Sequence, residues 1–481
     1  MPLRSVQQYV DSLRDDRTVY FRGARVPDVT KHPVIGVAVD HASIDYRLAD
    51  DPAHRDLAVT ADADGEEYSR YYQIPRTSED LLQRSALIER ATAAGGTLVV
   101  LIKEIGTDAL FALMRVAAVI DRQHGTGYAP RVQEFYRHCR TNDLAVAVAQ
   151  TDVKGDRSLG PSAQPDPDLY LHIVDRRADG IVVRGAKAHT SVSTNANEIV
   201  VLPTRAMGEG DRDYAVSFAV PVATKGLVLL ASAYDSAGPQ SSPVEHPISA
   251  RHKMMETTTV FEDVFVPWER VFLAGESEFA GPLALAFVEH HRFTAVSYKL
   301  PLVDALIGSA MLMADMNGIA KAAHVREKLV QLVSYGETLR GLTHYAALRC
   351  GRRELDIAVP DPLYVNMAKY HFAHGYHEAV RNVQDIAGGS LVTGPGAEDL
   401  ASEETARRYE RYYAGRVGVS GKERLKALSL VKDLVASEFA TYQEVLAVHA
   451  EGSLEAEKLM LFRSYDAAPA VSFVRRLAGL S

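Results

Sequence analysis

The spacing of apolar residues changes twice along the chain, and each change marks a predicted region. From residue 78 to about 139, apolar side chains return at helical intervals, as at Leu87-Ile88 and along residues 110–120, which is typical of amphipathic helices. From residue 144 to about 272 the apolar runs are short, rich in β-branched residues and separated by Gly, Pro, Asp and Asn, which indicates strands. Helical spacing returns after residue 279 and continues, with Gly and Pro breaks, to about residue 449.

This order of helices, strands and helices predicts an α+β protein whose regions form separate layers. We expect a mainly helical N-terminal domain over residues 1–140, a β-domain over residues 141–275 and a C-terminal helical bundle over residues 276–481. No GxGxxG motif opens a helix after a strand, and no GxxxxGK(S/T) loop occurs. Rossmann-type dinucleotide binding and nucleoside-triphosphate hydrolysis are therefore disfavoured.

The composition limits the classes of partner and the cellular compartment that we expect. The 53 Lys and Arg against 62 Asp and Glu give a net charge of -9, so there is no general electrostatic reason to bind nucleic acid or an anionic membrane. Cys139 and Cys350 are far apart and suggest no disulfide framework. Residues 1–17 lack the apolar core of a signal peptide, and apolar runs such as 226–233 are too short to span a bilayer. We expect a cytoplasmic protein that binds small molecules or copies of itself.

Four polar segments could carry chemistry. Residues 151–158 (TDVKGDRS) follow an apolar run, and residues 185–195 (GAKAHTSVSTN) place hydroxyl, imidazole and amide groups after a β-branched strand. Residues 384–389 (QDIAGG) put polar groups before a glycine pair, and residues 289–299 hold two histidines, an arginine, a tyrosine and a lysine in a helical stretch. The alternatives are solvated turns for the first two, a glycine helix cap for the third and structural histidines for the fourth.

Together these segments resemble the family of 4-hydroxyphenylacetate 3-hydroxylases and 4-hydroxybutyryl-CoA dehydratases, over nearly the whole chain. The resemblance rests on residues 151–158 (TDVKGDRS), 180–189 (GIVVRGAKAH), 198–207 (EIVVLPTRAM), 261–272 (FEDVFVPWERVF), 291–292 (HR) and 385–393 (DIAGGSLVT). It implies an acyl-CoA-dehydrogenase-like fold with an N-terminal helical domain, a middle β-barrel domain and a C-terminal helical bundle. It also implies a homotetramer with FAD between the β-domain and helices of neighbouring subunits.

The resemblance assigns the flavin-binding residues by position. The candidates for contact with FAD are Thr151, Asp152, His189, Thr190, Ser191, Gln384, Gly388 and Gly389, with Lys154 and Arg157 placed at the diphosphate. Thr190 or Ser191 could donate to the reactive edge of the ring and tune its electronics.

The chain departs from the dehydratases at the ligands of their [4Fe-4S] cluster. His291 matches the histidine ligand, but Val100, Glu104 and Tyr298 align with the three cysteines. Because thiolates hold such clusters, we expect no iron–sulfur cluster here, and we predict no other metal site.

Other dehydratase residues are retained. Lys299 matches an active-site lysine and Glu256 an active-site glutamate, so both join His291 and Tyr298 as candidate catalytic residues. A second glutamate of the dehydratases aligns with Leu446, although Glu444 and Glu451 are nearby.

The chain also departs from the phenol hydroxylases. Their substrate-binding Arg, Tyr and His align with Ile105, Ala109 and Val146, which predicts a larger or less polar substrate. Arg292, beside His291, is a further candidate for contact with the substrate.

Two enzymatic hypotheses follow from the resemblance, beside a flavin-binding relic without activity. The favoured one is a two-component monooxygenase: a separate flavin reductase supplies FADH2, and a C4a-hydroperoxyflavin hydroxylates an aromatic or polyketide-like substrate. His291 or Tyr298 would orient or deprotonate that substrate, and Thr190 would stabilise the flavin adduct. The alternative is a cluster-free, flavin-dependent dehydratase or isomerase of a hydroxyacyl thioester, with Glu256 or Lys299 abstracting a proton.

Overall fold

A computed structural model describes residues 3–234 and 242–480 of the chain. Its helices are α1 (Val6–Asp11), α2 (Ile35–Ala42), α3 (Ile44–Asp50), α4 (Arg55–Ala58), α5 (Ser78–Ala94), α6 (Glu104–His124), α7 (Tyr128–Thr141), α8 (Ala280–Met316), α9 (Ala323–Leu348), α10 (Pro362–Ala387), α11 (Ser390–Thr393), α12 (Ala397–Ala401), α13 (Glu403–Tyr412), α14 (Gly421–Val435), α15 (Glu438–His449), α16 (Leu454–Ser464) and α17 (Ala468–Leu477). Its strands are β1 (Thr18–Phe21), β2 (Ala24–Val26), β3 (Val59–Ala61), β4 (Glu67–Ser69), β5 (Val146–Ala149), β6 (His172–Arg176), β7 (Gly180–Ser191), β8 (Glu198–Val201), β9 (Val216–Pro221), β10 (Leu227–Ser232), β11 (Glu256–Pro267), β12 (Val271–Ala274), β13 (Gly351–Arg352) and β14 (Ala358–Val359).

In chain order the described residues form a mainly helical stretch, a β-rich stretch and a long helical stretch, and the β-rich stretch contains two main sheets. One has six strands in the order β2-β1-β10-β11-β7-β6, and the other has four in the order β12-β9-β8-β5. Strands β7 and β11 are the longest, and their antiparallel pairing places Ser191 directly opposite Glu256. This pairing brings the end of one strand and the start of the other to the same point.

The sheets differ from the predicted β-barrel. Across the described residues, each of the two sheets keeps two edge strands, so neither closes on itself. The six-stranded sheet also includes β1 and β2 from the N-terminal region, because β1 pairs in parallel with β10. Parallel pairing between segments so distant in sequence has no local signal, and the apolar pattern of residues 18–26 alone does not reveal its partner strand.

Helix α8 is the central element of the helical region. It packs against α5, α6, α9 and α10, and its buried residues lie all round its circumference. By length and apolar content the segment Ser277–Met316 could cross a bilayer, a match that short apolar runs in the sequence did not suggest. In the fold, 56% of its most apolar window is buried against the rest of the chain. The polar residues of α8 that are buried within the fold include His291, Arg292 and Lys299.

Candidate active site

The β-side of the candidate site is built around Glu256, the first residue of β11. Its carboxylate accepts hydrogen bonds of 2.9 Å from the hydroxyl of Ser191 on β7 and from that of Tyr442 on α15. Burial raises the pKa of Glu256 to about 7, although the bonds from Ser191 and Tyr442 act in the opposite direction. A carboxyl group with such a pKa is suited to take up and release a proton near neutral pH.

The helical side is built around Glu451, which lies in the turn between α15 and α16. Lys299 Nζ on α8 donates to Glu451 Oε2 at 2.7 Å, and the Tyr298 hydroxyl donates to Oε1 of the same carboxylate. The side chains of Lys299 and Glu451 are 4% and 3% exposed, so the pair is shielded from water. Buried charges need such partners, because an unpaired one is costly.

The backbone of this turn directs Glu451 into the site. Glu451 has a left-handed φ of 56°, and Gly452 follows with a φ of 115°. Arg292 Nε on α8 donates to the Glu451 carbonyl at 2.9 Å, and a Cβ on Gly452 would lie 2.4 Å from the Arg292 guanidinium. A non-glycine residue in this conformation is uncommon and is found where surrounding contacts impose it. Arg292 thus holds the turn that presents Glu451.

Glu451 and Lys299, the ion pair on the helical side, both have pKa values that differ from the usual ones. The pKa of Glu451 falls to about 2, because Lys299, Lys369 and His291 together outweigh the raising effect of burial. Burial lowers the pKa of Lys299 to about 8, Glu451 opposing this change and Lys369 adding to it. Burial raises the pKa of Tyr298 well above its usual value, and both Glu451 and Glu256 raise it further. The Tyr298 hydroxyl therefore senses both carboxyl groups.

His291 has its own carboxylate partner on α6. Its Nδ1 lies 3.1 Å from Asp108 Oδ2, and Arg84 and Thr294 donate to Oδ1 of Asp108 at 2.8 and 3.1 Å. Burial raises the pKa of Asp108, but Arg84 and His291 outweigh it and the net change is a lowering. The ionised Asp108 fixes the orientation of the imidazole.

Two of the predicted flavin-binding segments meet at the end of β7. The Thr151 carbonyl accepts from the Ala188 N–H at 2.9 Å, and Asp152 Oδ1 accepts from the buried Lys187 Nζ at 2.6 Å. This lysine, within the GAKAH segment, neutralises Asp152, a partnership that the sequence analysis missed. Lys154 and Arg157 are exposed and free to face a ligand's charged groups.

The Thr190-Ser191 pair is held between two residues with left-handed backbone. His189 has a φ of 53° and Val192 a φ of 56°, and a β-branched residue in that region is an outlier. Thr190 is 0% exposed, and its hydroxyl has no hydrogen-bond partner among the described residues. A buried hydroxyl without a partner fits a polar group of a bound ligand, as the edge of a flavin ring would supply.

The third predicted flavin-binding segment, residues 384–389, borders an open cleft of about 670 Å³. Gln384 and Tyr442 both line it, and Tyr442 connects it to Glu256. Gln384 itself donates to the Val435 carbonyl at 2.6 Å, while Gly388 has a φ of 80° and caps α10. A Cβ at Gly388 or Gly389 would meet nothing within 4 Å, so this turn is open to a ligand or to another chain.

The candidate substrate residues Ile105, Ala109 and Val146 come from two elements that pack together. Ile105 and Ala109 are buried on α6 on either side of Asp108, and α6 packs on β5, which carries Val146. A Cβ on Gly106 would be only 2.4 Å from Val146, so helix and strand are in close contact. Ala109 directly follows Asp108, so these apolar residues include one next to the carboxylate partner of His291.

The positions of the dehydratase cluster ligands do not fit a cluster. Val100 is buried in the segment before α6, Glu104 is buried as the first residue of that helix, and Tyr298 is bonded to Glu451, so none of these positions offers a thiolate. Cys139 is buried on α7 and Cys350 follows α9. Within residues 3–234 and 242–480, no group of three or more His, Cys, Asp and Glu side chains could hold a metal ion.

Two residues of the site, Asp108 and Lys369, were not identified from sequence, and Glu451 was named only as a neighbour of the aligned Leu446. Asp108 directly precedes the apolar run of residues 109–114 on α6, which is a signal that could have found it. The residue that accepts a hydrogen bond from Lys299 is Glu451, which lies in the turn five positions after the aligned Leu446. Lys369 is 0% exposed on α10 and lies 3.8 Å from Glu451.

Comparison with known proteins shows the family of this chain. The family models described as 4-hydroxyphenylacetate 3-hydroxylase N terminal and C terminal match residues 5–273 and 280–479. The chain is 33% identical to the 4-hydroxybutyryl-CoA dehydratase/vinylacetyl-CoA-Delta-isomerase of Clostridium aminobutyricum, over 99% of this chain and 100% of that protein.

Solved structures of the same family are similar to this chain over almost its whole length. An oxygen-tolerant archaeal 4-hydroxybutyryl-CoA dehydratase from N. maritimus superposes with a TM-score of 0.93 at 30% identity, covering 100% of this chain and 96% of that one. The oxygenase component of 4-hydroxyphenylacetate 3-monooxygenase complexed with FAD gives 0.90 at 27% identity and 98% coverage of both chains. Butyryl-CoA dehydrogenase from Megasphaera elsdenii gives 0.51 at 15% identity over 96% of this chain and 99% of that one, a likeness of fold alone that confirms the predicted acyl-CoA-dehydrogenase-like class. The chain therefore belongs to the 4-hydroxyphenylacetate 3-hydroxylase family, as its sequence motifs predicted.

Proposed function

We propose that this chain is a flavin-dependent enzyme that shifts a proton within an unsaturated acyl thioester, without net oxidation. The observation that carries the proposal is Glu256, whose carboxyl group is bonded only to hydroxyl donors and has a pKa near 7. A general base works best when its pKa lies near the operating pH. The preference drawn from sequence is thereby reversed, since the isomerase was the alternative there.

The chain's own residues suffice for the proton movements of such a reaction. Glu256 takes a proton from the carbon beside the thioester carbonyl, and the C–H electrons form the new double bond as the old one shifts. A donor on the helical side, Lys299 with a pKa near 8 or its neighbour Tyr298, supplies a proton at the far carbon. Substrate and product are isomers, and the protons on Glu256 and the donor re-equilibrate before the next cycle.

The residues present fit FAD as the cofactor of this site. Thr190, with its unpartnered buried hydroxyl, Ser191, His189 and Thr151 would hold the ring, and Asp152, paired with Lys187, would lie beside it. Lys154 and Arg157 would bind the diphosphate, and Gln384, Gly388 and Gly389 would contact the cofactor from the cleft. When bound, FAD supplies a ring that can accept and return electrons at the substrate carbon. A homo-oligomer in which a second copy completes the flavin site accords with the exposed positions of Lys154 and Gly389.

Relatives support this proposal by name. The Clostridium aminobutyricum protein combines dehydratase and vinylacetyl-CoA Delta-isomerase activities in its description and is similar over its full length. A small acyl-CoA is therefore the substrate class to test first, with the apolar surface formed by Ile105, Ala109 and Val146 beside its acyl chain.

A second candidate function is a two-component FADH2-dependent monooxygenase. It is favoured by a separate observation: the chain is 29% identical to the 4-hydroxyphenylacetate 3-monooxygenase oxygenase component of Thermus thermophilus, over 92% of this chain. In that case a flavin reductase would be a partner, and His291, held by Asp108, would orient the substrate hydroxyl.

Anaerobic isomerisation in D2O distinguishes the two functions. Protein loaded with FAD is mixed with but-3-enoyl-CoA, and crotonyl-CoA formation and deuterium uptake are followed by mass spectrometry. We expect both to occur without oxygen or reductant, and to fall by about 10²–10⁴-fold in Glu256→Gln, the usual size of a general-base contribution. Glu262→Gln, an exposed glutamate on the same strand, is the matched control and should retain activity.

Two results would contradict the proposal. One is a complete lack of product and deuterium exchange with acyl-CoA substrates. The other is a product that forms only with reduced FAD and oxygen and carries an added oxygen atom, which would establish the monooxygenase instead.

A further inference from the structure

A second buried ion pair lies behind Lys299 and Glu451. Lys369 on α10 and Glu457 on α16 are both 0% exposed, and Lys369 Nζ lies 3.5 Å from Glu457 Oε1. The same ammonium lies 3.8 Å from Glu451 Oε2, the oxygen to which Lys299 donates, and it donates to the Ala447 carbonyl at 3.0 Å. Two lysines therefore share one carboxylate oxygen.

The geometry points to Lys369 as a positioning residue of the active site: with Glu457 behind it, Lys369 holds Glu451 in place and sets how readily Lys299 gives up its proton. The inference deepens the proposed function and rests on it for the consequence in catalysis. The effect on Lys299 itself is a property of the folded chain and exists without any substrate.

The pair is poorly explained as a device for stability alone. Burying a salt bridge costs desolvation energy that the mutual attraction often fails to recover, and apolar side chains of similar volume are frequently as stable. Within the described part of the chain, neither carboxylate oxygen of Glu457 accepts a hydrogen bond, so this pair lacks the bonds that would offset its burial. Its contact with the Glu451–Lys299 pair gives it a role there.

All charged groups around Lys299 enter this balance. On α8 these are Tyr298, which lies 3.4 Å from Lys299 Nζ, together with His291 and Arg292 near Glu451. The turn contributes Glu451, α10 contributes Lys369 and α16 contributes Glu457, while Glu256 on β11 acts through Tyr298. Lys369 disfavours the charged form of Lys299, and Glu457 favours it. Removing Lys369 should therefore increase the proton affinity of Lys299, and removing Glu457 should decrease it.

Competitive acetylation tests this without turnover. The protein is labelled with acetic anhydride across a pH series, and the extent at Lys299 is read by peptide mass spectrometry against the exposed Lys154 as internal reference. We expect Lys369→Met to increase the proton affinity of Lys299 by roughly tenfold, one pKa unit, and Lys369→Arg to leave it near the wild-type value. Glu457→Gln should produce a smaller change in the opposite direction. A general loosening of the fold would not shift the labelling midpoint of Lys299 in opposite directions in the two variants.

The inference is overturned if Lys299 titrates unchanged in folded Lys369→Met, or if Lys369→Met and Glu457→Gln shift it in the same direction. Should Lys369→Met fail to fold, Glu457→Gln decides: a decrease in proton affinity supports the inference and no change overturns it. The pH dependence of anaerobic isomerisation supplies the link to catalysis, since its alkaline limb should shift with the labelling midpoint. Absence of isomerisation in wild type with normal labelling shifts would refute the proposed function and leave the role of Lys369 intact.

Discussion

The two sides of the site each present a glutamate, and their surroundings give these glutamates opposite proton affinities. Glu256 meets only hydroxyl donors, and burial raises its pKa to about 7. Glu451 meets two ammonium groups, which hold its pKa near 2 in spite of burial. The comparison shows that the type of partner, and not burial by itself, decides whether a carboxyl group exchanges protons or serves as a fixed charge.

The largest expected effect comes from neutralising Glu451. Glu451→Gln leaves Lys299 and Lys369 buried without their shared counterion, and breaking a buried pair in this way costs about 3–5 kcal/mol. We expect the free energy of unfolding, measured in denaturant at neutral pH, to fall by this amount. Glu444→Gln on α15, a glutamate that lines the open cleft, is the control and should stay within about 1 kcal/mol of wild type. Equal losses in the two variants would refute the fixed-charge role of Glu451.

At high pH, Glu256→Gln should have the opposite effect and increase the free energy of unfolding. The folded pKa of Glu256 lies near 7, above its ordinary value of 4.5, so the folded chain binds more protons between these pH values. Its contribution to stability is full below pH 4.5 and is lost as pH rises through 7. The glutamine variant should therefore be more stable than wild type at about pH 8, by about 1–3 kcal/mol, and this advantage should vanish near pH 4.5.

Denaturant unfolding at several pH values checks this prediction. For Glu451, whose folded pKa is depressed, the stabilising contribution is present above pH 4.5 and is lost as pH falls towards 2. A Glu256→Gln variant that is less stable than wild type at every pH would mean that Glu256 is a fixed charge like Glu451.

The smallest effect is expected from the serines on either side of Glu256. Ser191 on β7 bonds the Glu256 carboxylate, whereas Ser232 on β10 is its register partner on the other strand and contacts only its carbonyl, at 3.5 Å. Ser191→Ala should raise the pKa of Glu256 by about 0.5–1 unit, because a bond to the ionised form is lost. The acid limb of the isomerisation pH profile should move by that amount, and Ser232→Ala should leave it in place. A shift in both variants would point to the strands and not to the hydroxyl.

The sequence motifs predicted the family and the acyl-CoA-dehydrogenase-like fold, and they supplied candidate residues on single elements of the site. His291, Tyr298 and Lys299 share one helix, and Glu256 follows from its place at the start of a strand. Their partners escaped prediction because they come from far along the chain: Asp108 is 183 residues from His291, and Glu451 is 152 residues from Lys299. Such pairs depend on how helices pack, which apolar spacing does not specify.

The position of Glu451 could not be derived from sequence because the backbone is unusual there. The turn at Glu451 and Gly452 has left-handed conformations that no periodic pattern encodes, so the resemblance pointed to Leu446 on a helix and named Glu451 only as a nearby glutamate. Similarly, the β-barrel was wrong in its closure because β1 joins the six-stranded sheet from outside the predicted β-domain. The individual roles of the flavin-binding residues stay predictions.

The separation of Lys299 from its counterion has a consequence for how the protein is made. A ribosome adds Glu451 only 152 residues after Lys299, and Lys369 emerges between them. Until residue 451 is added, the two lysines of a nascent chain lack the carboxylate that both approach in the finished fold, so burying them at that stage would leave their charges uncompensated. Chains that end before residue 451 therefore lack both Glu451 and Glu457, the two carboxylates that accompany these lysines inside the folded protein.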